Sequence, residues 1–246
     1  MELTNNEIKF IKSLSNKKSR DQSGLFIVEG EKMVEEALKS SFTVKSVYRE
    51  DEIGNKTMSR ITMLSSPSPV LAIVQKPQEH PFRIKDKGLF LALDSIRDPG
   101  NLGTIIRIAD WFGIESILAS TDTVDIYNPK VVQATMGAIF RVKFHYLDLQ
   151  PVLTQFTANG GTIYGAFLEG NNIYTQNLNT GEHSPVAIVI GNEANGISPK
   201  IENIITHKIH IPSCTRSNSC SESLNAAIAT AITISEFRRN IKIQAY

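Results

Sequence analysis

The residues with the clearest chemical potential lie in three loops, each joining a predicted strand to a predicted helix. The first is DPGNLG at residues 98–103, followed by an apolar helix that carries one arginine, Arg107, among isoleucine and alanine residues. A guanidinium beside an apolar helix face needs a partner, and carboxylates and phosphates are the usual ones. Two interpretations stay open: a ligand-binding loop, or a plain turn in which Gly100 adopts unusual dihedrals and Asn101 caps the helix.

The glycine spacing excludes two common nucleotide-binding loops. Gly100 and Gly103 are separated by only two residues, so the G-x-G-x-x-G pattern is absent, and no Lys-Ser/Thr pair follows as it would in a P-loop. A chemical role for this loop therefore needs another explanation.

The second and third loops each carry a polar group at a strand-to-helix turn. In IGNEANGIS (190–198), Glu193 follows a buried strand, and Ser198 is predicted to cap a helix that begins at Pro199. The carboxyl edge of a parallel sheet is where such folds bind ligands. In the third loop, SLNAAIATAI (223–232) places Asn225 in the first turn of an apolar helix, where it is either a cap, a core hydrogen-bonding group or a site residue.

The elements that must position these loops follow from hydrophobic periodicity. The predicted strands are 25–30, 44–50, 70–77, 89–94, 116–120, 162–168, 186–191 and 207–212. The predicted helices are 4–14, 31–41, 103–112, 129–138, 149–159, 198–204 and 222–239, and 15–24 reads as a polar, basic loop. Apolar strands that alternate with helices in the second half predict a parallel sheet with helices on both faces.

Composition limits the classes of function. The chain has 246 residues and a net charge of +1, so a polyanion would have to bind a local basic patch. No apolar run is long enough to span a bilayer and the N-terminus lacks a secretory pattern, so a cytoplasmic protein is expected. A linker rich in proline and charge predicts three segments: a small domain at 1–76, a linker at 77–88 and a larger domain at 89–246.

Together the three loops resemble the motifs of the SpoU/TrmH branch of the SPOUT RNA 2′-O-ribose methyltransferases. NLGTIIRIA (101–109) resembles the first motif, IGNEANGIS the second, and Ile211-Pro212 with SLNAAIATAI the third. YNPKVVQATMGAIFRV (127–142) looks like the family's intermediate segment, and the motifs occur in family order. The N-terminal segment is similar to the family's small substrate-binding domain, which looks like a ribosomal-protein module.

The resemblance implies a SPOUT-type α/β fold with a C-terminal deep trefoil knot, S-adenosyl-L-methionine as cofactor, and a homodimer. If the family's functional residues are assigned to the matching positions of this chain, the resemblance implies that Gly191, Ile211 and Leu224 line the cofactor pocket. The catalytic region consists of Asn101, Arg107, Glu193, Ser223 and Asn225. Ser213 stands where the family usually has methionine, and SCTRSNSC (213–220) lengthens the loop before Ser223. That loop is the one hint of an alternative, a catalytically inactive RNA-binding protein on the same scaffold.

The implied reaction transfers a methyl group to a ribose 2′-hydroxyl of ribosomal or transfer RNA. Because a guanidinium is always protonated, Arg107 is interpreted as a clamp on an adjacent phosphate rather than as a base. Glu193 and Asn225 are interpreted as groups that hold the loops. The predicted RNA-binding residues are Lys9, Lys12, Lys17, Lys18, Arg20, Arg107 and Arg141.

A zinc site is not expected from His207, His210, Cys214 and Cys220. If 207–212 is a strand, the two histidines face opposite sides of the sheet. The cysteine spacing also departs from the usual pattern of zinc ligands.

Overall fold

A computed structural model of the chain describes residues 3–78, 81–85, 87–114, 116–214 and 223–239. They fall into two compact units that are interleaved along the chain. The first unit lies within Met1–His80, Leu102–Arg107 and Asp125–Arg141. The second lies within Pro81–Asn101, Ile108–Val124 and Val142–Tyr246.

The helices and strands are defined as follows. The helices are α1 (Asn5–Ser13), α2 (Lys17–Ser23), α3 (Glu31–Lys39), α4 (Glu50–Ile53), α5 (Asn55–Ile61), α6 (Pro99–Trp111), α7 (Pro129–Thr135), α8 (Leu149–Ala158), α9 (Pro199–Glu202) and α10 (Ala226–Arg238), with a 3₁₀ turn at Ala138–Phe140. The strands are β1 (Leu25–Glu29), β2 (Val44–Arg49), β3 (Val70–Gln75), β4 (Gly88–Leu93), β5 (Ser116–Ala119), β6 (Lys143–Tyr146), β7 (Thr162–Asn172), β8 (Pro185–Ile190) and β9 (His207–His210).

The first unit contains an antiparallel sheet in the order β1-β3-β2. Helix α1 buries Ile8 and Ile11 against one face of it, in a cluster with residues of α5, β1 and β3. The predicted strands and helices of this region are confirmed, but the predicted loop at 15–24 is wrong. Asn16 accepts a hydrogen bond from the main chain of Lys18 and so starts α2, and Gly24 ends it in the left-handed conformation.

The second unit contains a sheet in which every neighbouring pair of strands is parallel, in the order β6-β5-β4-β8-β7-β9. The predicted parallel α/β sheet is therefore confirmed, although sequence periodicity missed β6. Helices α8 and α9 pack on one face of the sheet, where Leu153 and Ile201 are fully buried. Helix α10 lies on the other face, where the ring of Phe237 meets that of Tyr164. Helices on both faces are thus confirmed.

Helix α6 begins four residues earlier than its periodicity predicts. Asp98 is its N-cap and accepts from the main-chain N–H of Asn101 at 2.7 Å, and Pro99 occupies the first helical position. The interpretation in which Gly100 has unusual dihedrals and Asn101 caps the helix is wrong, because both lie in the first turn. The side chain of Asn101 is consequently free to bond elsewhere.

No helix in the ranges that the structure describes is long and apolar enough to cross a membrane.

Candidate functional site

The first two loops leave the sheet side by side at its carboxyl edge. Strands β4 and β8 are parallel neighbours, and their last residues, Leu93 and Ile190, are paired in register. The main-chain N–H of Asp94 donates to the carbonyl of Ile190 at 2.9 Å. The Asp94 carboxylate in turn accepts from the main-chain N–H of Ser198 at 2.7 Å. The parallel register thus brings two loops together that are about a hundred residues apart in the chain.

One residue from each loop joins a continuous polar chain, here called the amide row and consisting of Glu193, Asn101 and Asn225. The Asn101 amide donates to Glu193 Oε1 at 3.0 Å. The Asn225 amide donates to Asn101 Oδ1 at 2.8 Å. The structure therefore joins the three loops that the sequence singled out, and does so through the predicted side chains.

The two end residues of the amide row, Asn225 and Glu193, also accept hydrogen bonds from main-chain N–H groups. Asn225 is the N-cap of α10, and its Oδ1 accepts from the main chain of Ala227 at 2.9 Å and of Ile228 at 3.3 Å. The Glu193 carboxylate lies 3.4 Å from the main-chain nitrogen of Asp98 and 3.5 Å from that of Arg97, which both donate to it. Both residues use their hydrogen-bonding capacity to hold loops in place.

Arg107 is exposed on α6, six residues after Asn101. The helix buries Leu102, Ile105, Ile106 and Ala109, so the arginine projects from the opposite face. Within the described ranges, its guanidinium forms no hydrogen bond or ion pair, and it is not part of the amide row. The protein partner that an arginine in an apolar helix was expected to need is therefore absent from that part of the chain.

The loop after β8 folds back tightly on Gly191. A side chain there would lie 2.2 Å from the main-chain carbon of Gly196 and 2.3 Å from the nitrogen of Ile197, so only glycine fits. Asn192 and Gly196 exchange two main-chain hydrogen bonds of 2.9 Å each. Gly196 has a φ of +67°, a left-handed conformation that glycine adopts without steric cost. The result is a compact backbone cradle at the carboxyl edge of the sheet.

The other predicted cofactor residues follow β9 and precede α10. Ile211 comes directly after β9 and is half-buried, and Leu224 is exposed. Ser223, predicted to be catalytic, is also exposed. Most of the lengthened 213–220 loop lies outside the described residues, so the alternative that depended on it is not tested.

Two buried polar atoms near the end of β9 have no partner among the described residues: Nδ1 of His210 and Oε1 of Gln176. Gln176 lies just after β7, whose residue Asn172 is paired with His210. Buried polar atoms are normally hydrogen-bonded, so orphaned ones indicate a missing polar ligand or water. Together with the cradle at Gly191, they fit a polar cofactor bound at this edge.

The predicted RNA-binding lysines are exposed, as phosphate contact requires. Lys9 and Lys18 project from the surface. Lys12 donates to the carbonyl of Thr62 at 3.0 Å, and Lys17 forms a 2.6 Å ion pair with Asp21. The pKa of Asp21 is lowered to about 2, first by the hydrogen bond from Lys17 and then by that from Lys76. Arg141 forms an ion pair with Glu36.

The prediction that Arg20 contacts RNA is wrong. Its side chain is only 2% exposed, and its guanidinium donates to Asp125 Oδ2 at 2.5 Å and 3.0 Å. It also donates to the carbonyls of Leu14 and Ser15 at 2.9 Å and 2.8 Å. Four hydrogen bonds therefore hold the guanidinium inside the protein, and the residue ties α2 to the 125–141 segment of the first unit.

No group of three or more histidine, cysteine, aspartate or glutamate side chains that could hold a metal is found in the described part of the chain. Cys214 is an exposed free thiol, and Cys220 lies outside that part. His207 and His210 are the first and last residues of β9, so the strand begins where the sequence predicted and ends two residues before the predicted 212.

Sequence reasoning missed Asn192 and Asp98 as organising residues. Asn192 Oδ1 accepts from the main-chain N–H groups of Ala194 and Asn195 at 3.0 Å each, and so it shapes the turn that carries Glu193. An asparagine placed two residues before a turn was the available signal. Asp98 before a proline was the corresponding signal for a helix cap.

The chain shares its fold and much of its length with known RNA methyltransferases. It is 28% identical over 95% of its length to the 23S rRNA (guanosine(2553)-2'-O)-methyltransferase RlmP of Bacillus subtilis, of which 96% is covered. A protein of Porphyromonas gingivalis assigned to the TrmH family of RNA methyltransferases is 38% identical with a TM-score of 0.86, over 97% of this chain and 99% of that one. An rRNA methyltransferase of Sinorhizobium meliloti with bound AdoMet is 30% identical with a TM-score of 0.85, over 98% of both chains.

Two family models account for most of the chain. The MRM3-like substrate binding domain matches residues 5–76. The SpoU rRNA methylase family matches residues 88–235, which include all three loops of the amide row. The resemblance of the three motifs is thus confirmed, and the chain belongs to the SpoU rRNA methylase family.

Proposed function

We propose that this chain is an S-adenosyl-L-methionine-dependent methyltransferase that methylates a ribose 2′-hydroxyl in RNA. The observation that carries the proposal is the amide row, in which one residue from each family motif meets the others at the carboxyl edge of a parallel sheet. That edge is where open α/β sheets bind their ligands. Membership of the SpoU family and similarity to a methyltransferase with bound AdoMet support it.

Gly191, Ile211 and Leu224 are the residues proposed to hold the cofactor. S-adenosyl-L-methionine would supply a methyl group on a positively charged sulfonium. The compact turn at Gly191 leaves main-chain groups rather than side chains to meet a ligand. The unpartnered polar atoms of His210 and Gln176 lie near the strand end that leads to Ile211. Recognition through backbone groups suits a cofactor whose amino, carboxyl and adenine groups all form hydrogen bonds.

The substrate is proposed to be ribosomal RNA, with transfer RNA as the second choice. Ribosomal RNA is favoured because the B. subtilis relative that aligns over nearly the whole chain is named for a guanosine of 23S rRNA. A guanosine target is the corresponding proposal for this chain.

Arg107 is proposed to clamp a phosphate next to the target nucleotide. It is exposed and forms no ion pair in the described part of the chain, so its planar donors are available to an external anion. Asn101, Glu193 and Asn225 are proposed to keep the loops in register, since their hydrogen bonds are made within the protein. Ser223, which precedes the cap of α10 by two residues, completes the proposed catalytic region.

The grip on RNA is proposed to come from exposed lysines of a substrate-binding domain at 1–76. Lys9, Lys12, Lys17 and Lys18 are exposed, and their phosphate contacts would weaken as salt is added. Arg141 is the weaker candidate because Glu36 already pairs with it. A linker at 77–88 and a methyltransferase domain at 89–246 complete the proposed division.

Three further features belong to the same proposal. A deep trefoil knot at the C-terminus is supported by family membership and by a strand order in which β9 pairs with β7 rather than with β8. A homodimer is supported by exposed apolar residues on α6 and α10, Trp111 and Ile228. A cytoplasmic location is supported by bacterial relatives that act on ribosomal RNA.

The test is transfer of tritiated methyl groups from S-adenosyl-L-methionine to unmodified ribosomal RNA, followed by mapping of 2′-O-methylation. Wild-type protein should label one nucleotide. Arg107→Lys should lose about a hundredfold in turnover, because lysine cannot supply the planar pair of donors that orients the phosphate. Arg239→Lys, an exposed arginine at the end of α10, is the matched control and should retain activity.

The outcomes separate the alternatives. RNA that binds without being labelled would favour the inactive RNA-binding protein and reject the enzyme. A tritiated methyl group on a base instead of a ribose would reject 2′-O-methylation as the reaction. Near-normal turnover of Arg107→Lys, with wild type active, would reject only the clamp.

A further inference from the structure

Ser95 has a backbone conformation that non-glycine residues seldom adopt. Its φ is +61°, and Met136 is the other non-glycine residue with a positive φ in the described part of the chain. Residues held in such conformations need surrounding structure to maintain them, and they concentrate near functional sites. Ser95 comes directly after Asp94, in the loop that leads to α6 and Asn101.

Two groups from the loop after β5 hold Ser95 in place. The Ser95 hydroxyl donates to Asp122 Oδ2, and the main-chain N–H of Ser95 donates to the hydroxyl of Ser120 at 2.8 Å. That hydroxyl donates to the other oxygen of Asp122 at 2.7 Å. Asp122 thus accepts one hydroxyl on each carboxylate oxygen. These bonds lower its pKa, the bond from Ser95 most, so the carboxylate is ionised and accepts only.

The conformation of Ser95 directs its carbonyl group to the second loop. The carbonyl oxygen accepts from the side-chain amide of Asn192 at 2.7 Å. Asn192 uses its own oxygen to bond the main chain of Ala194 and Asn195. It therefore fixes the turn from which Glu193 reaches Asn101.

We infer that Asp122 is a positioning residue for the amide row. It holds Ser95 in the left-handed conformation, Ser95 anchors Asn192, and Asn192 sets the turn that presents Glu193 to Asn101. Within the described residues no hydrogen bond joins Asp122 to the row, and none of the three family motifs includes it. The catalytic part of this inference rests on the proposed function, whereas the structural part does not.

A purely stabilising role is the competing explanation. Loss of Asp122 would then lower stability without a selective effect on the 192–196 turn. Asp148 offers a matched control, because it is also an aspartate at the carboxyl edge of the sheet. It caps α8 by accepting from the main chain of Gln150 at 3.2 Å, a bond within its own helix and not to the second loop.

The first arm of the test is kinetic. Asp122→Ala should lower kcat about tenfold and change the KM for S-adenosyl-L-methionine by less than about twofold, because the row is displaced while the two main-chain bonds between Asn192 and Gly196 keep the turn closed. Asp122→Asn should recover part of kcat, since an amide can accept from Ser95 and donate to the Ser120 hydroxyl. Asp148→Ala should leave kcat close to wild type.

A second-site change tests the backbone claim directly. Glycine adopts positive φ without steric cost, so Ser95→Gly added to Asp122→Ala should raise kcat at least about threefold above Asp122→Ala alone. If Asp122 only stabilised the fold, kcat per folded protein would be unchanged in Asp122→Ala, and the glycine would have nothing to restore. Failure of this rescue, or a kcat of Asp122→Ala within twofold of wild type, would overturn the inference.

The second arm of the test does not require catalytic activity. It can therefore test the role of Asp122 even if the proposed methyltransferase function fails. In nitrogen-15 NMR spectra, Asp122→Ala should shift the backbone signals of residues 192–196 and the side-chain amide of Asn101, whereas Asp148→Ala should not. Unchanged signals in Asp122→Ala would overturn the inference. If wild-type protein transfers no methyl group, the proposed function fails, and these spectra alone decide the role of Asp122.

Discussion

At the scale of single residues, burial separates two arginines that look alike in the sequence. Arg20 is surrounded by lysines in a polar segment, which favoured an RNA-binding role. In the fold it pairs with Asp125, more than a hundred residues away, and both side chains are at least 92% buried. Arg107 lies among apolar residues yet projects from the exposed face of α6. Local composition could not reveal either environment, because each depends on distant contacts.

The Arg20–Asp125 pair leads to a stability prediction. Arg20→Met should lower the free energy of unfolding by about 3–5 kcal/mol, because it leaves a buried carboxylate without its partner. The shift should appear as a lower midpoint of urea unfolding, measured by circular dichroism.

Two control variants test whether the loss of stability comes from the buried ion pair. Lys17→Ala breaks an exposed ion pair with Asp21 and should cost less than about 1 kcal/mol. Arg20→Met combined with Asp125→Asn should recover part of the loss, since the unpaired charge is removed. A cost for Arg20→Met as small as that for Lys17→Ala would contradict the buried-pair interpretation.

At the scale of elements, the sequence predicted most strands and helices, and its failures have local causes. Helix α2 was missed because its seven residues are all polar and it depends on caps at Asn16 and Gly24. Strand β6 was missed because its burial is only partial over four residues. The amide row was predictable as a set of residues from the family motifs. Its hydrogen bonds were not, because they depend on the parallel register of β4 and β8.

The contact between α6 and α7 within the first unit yields an element-scale prediction. A side-chain carbon at Gly103 would lie 2.4 Å from the Cβ of Ala134 and 2.8 Å from the carbonyl oxygen of Val131. Glycine to alanine in a helix normally stabilises by about 1 kcal/mol, but overpacking costs about 1–3 kcal/mol. Gly103→Ala should therefore destabilise the protein, as measured by its thermal midpoint.

Gly100→Ala is the matched substitution in the same helix. Its nearest neighbour would be a side-chain oxygen of Asp98 at 3.1 Å, which can move slightly. The midpoint should stay the same or rise. If the thermal midpoint of Gly103→Ala also stayed the same or rose, the close contact between α6 and α7 would not be what requires glycine at position 103.

At the scale of the whole molecule, the two ends of α6 are bonded to α10 by residues of the second unit. Asn225 bonds Asn101 at their N-terminal ends. At their C-terminal ends, Arg238 donates to the carbonyls of Phe112 and Gly113 at 3.1 Å and 3.2 Å. Burial lowers the pKa of Arg238, and these carbonyls supply acceptors for its half-buried guanidinium. The helix pair is thus fixed at both ends.

This helix pair exposes apolar side chains, which leads to the last prediction. Trp111 on α6 is 86% exposed and Ile228 on α10 is 50% exposed. Apolar residues left open on neighbouring elements favour an interface between protein chains. Wild-type protein should therefore have twice the mass of one chain in light scattering. Trp111→Glu combined with Ile228→Glu should yield the mass of one chain, because charges are costly in an apolar interface.

Leu38→Glu provides the control for this dimer. Leu38 is 54% exposed on α3, a helix that is not part of the pair, so its substitution adds a similar charge on a different element. That variant should remain a dimer, and circular dichroism should show all variants to be folded. A wild-type protein that stays monomeric at high concentration would contradict the homodimer. A double variant that stays dimeric would contradict only its location on α6 and α10.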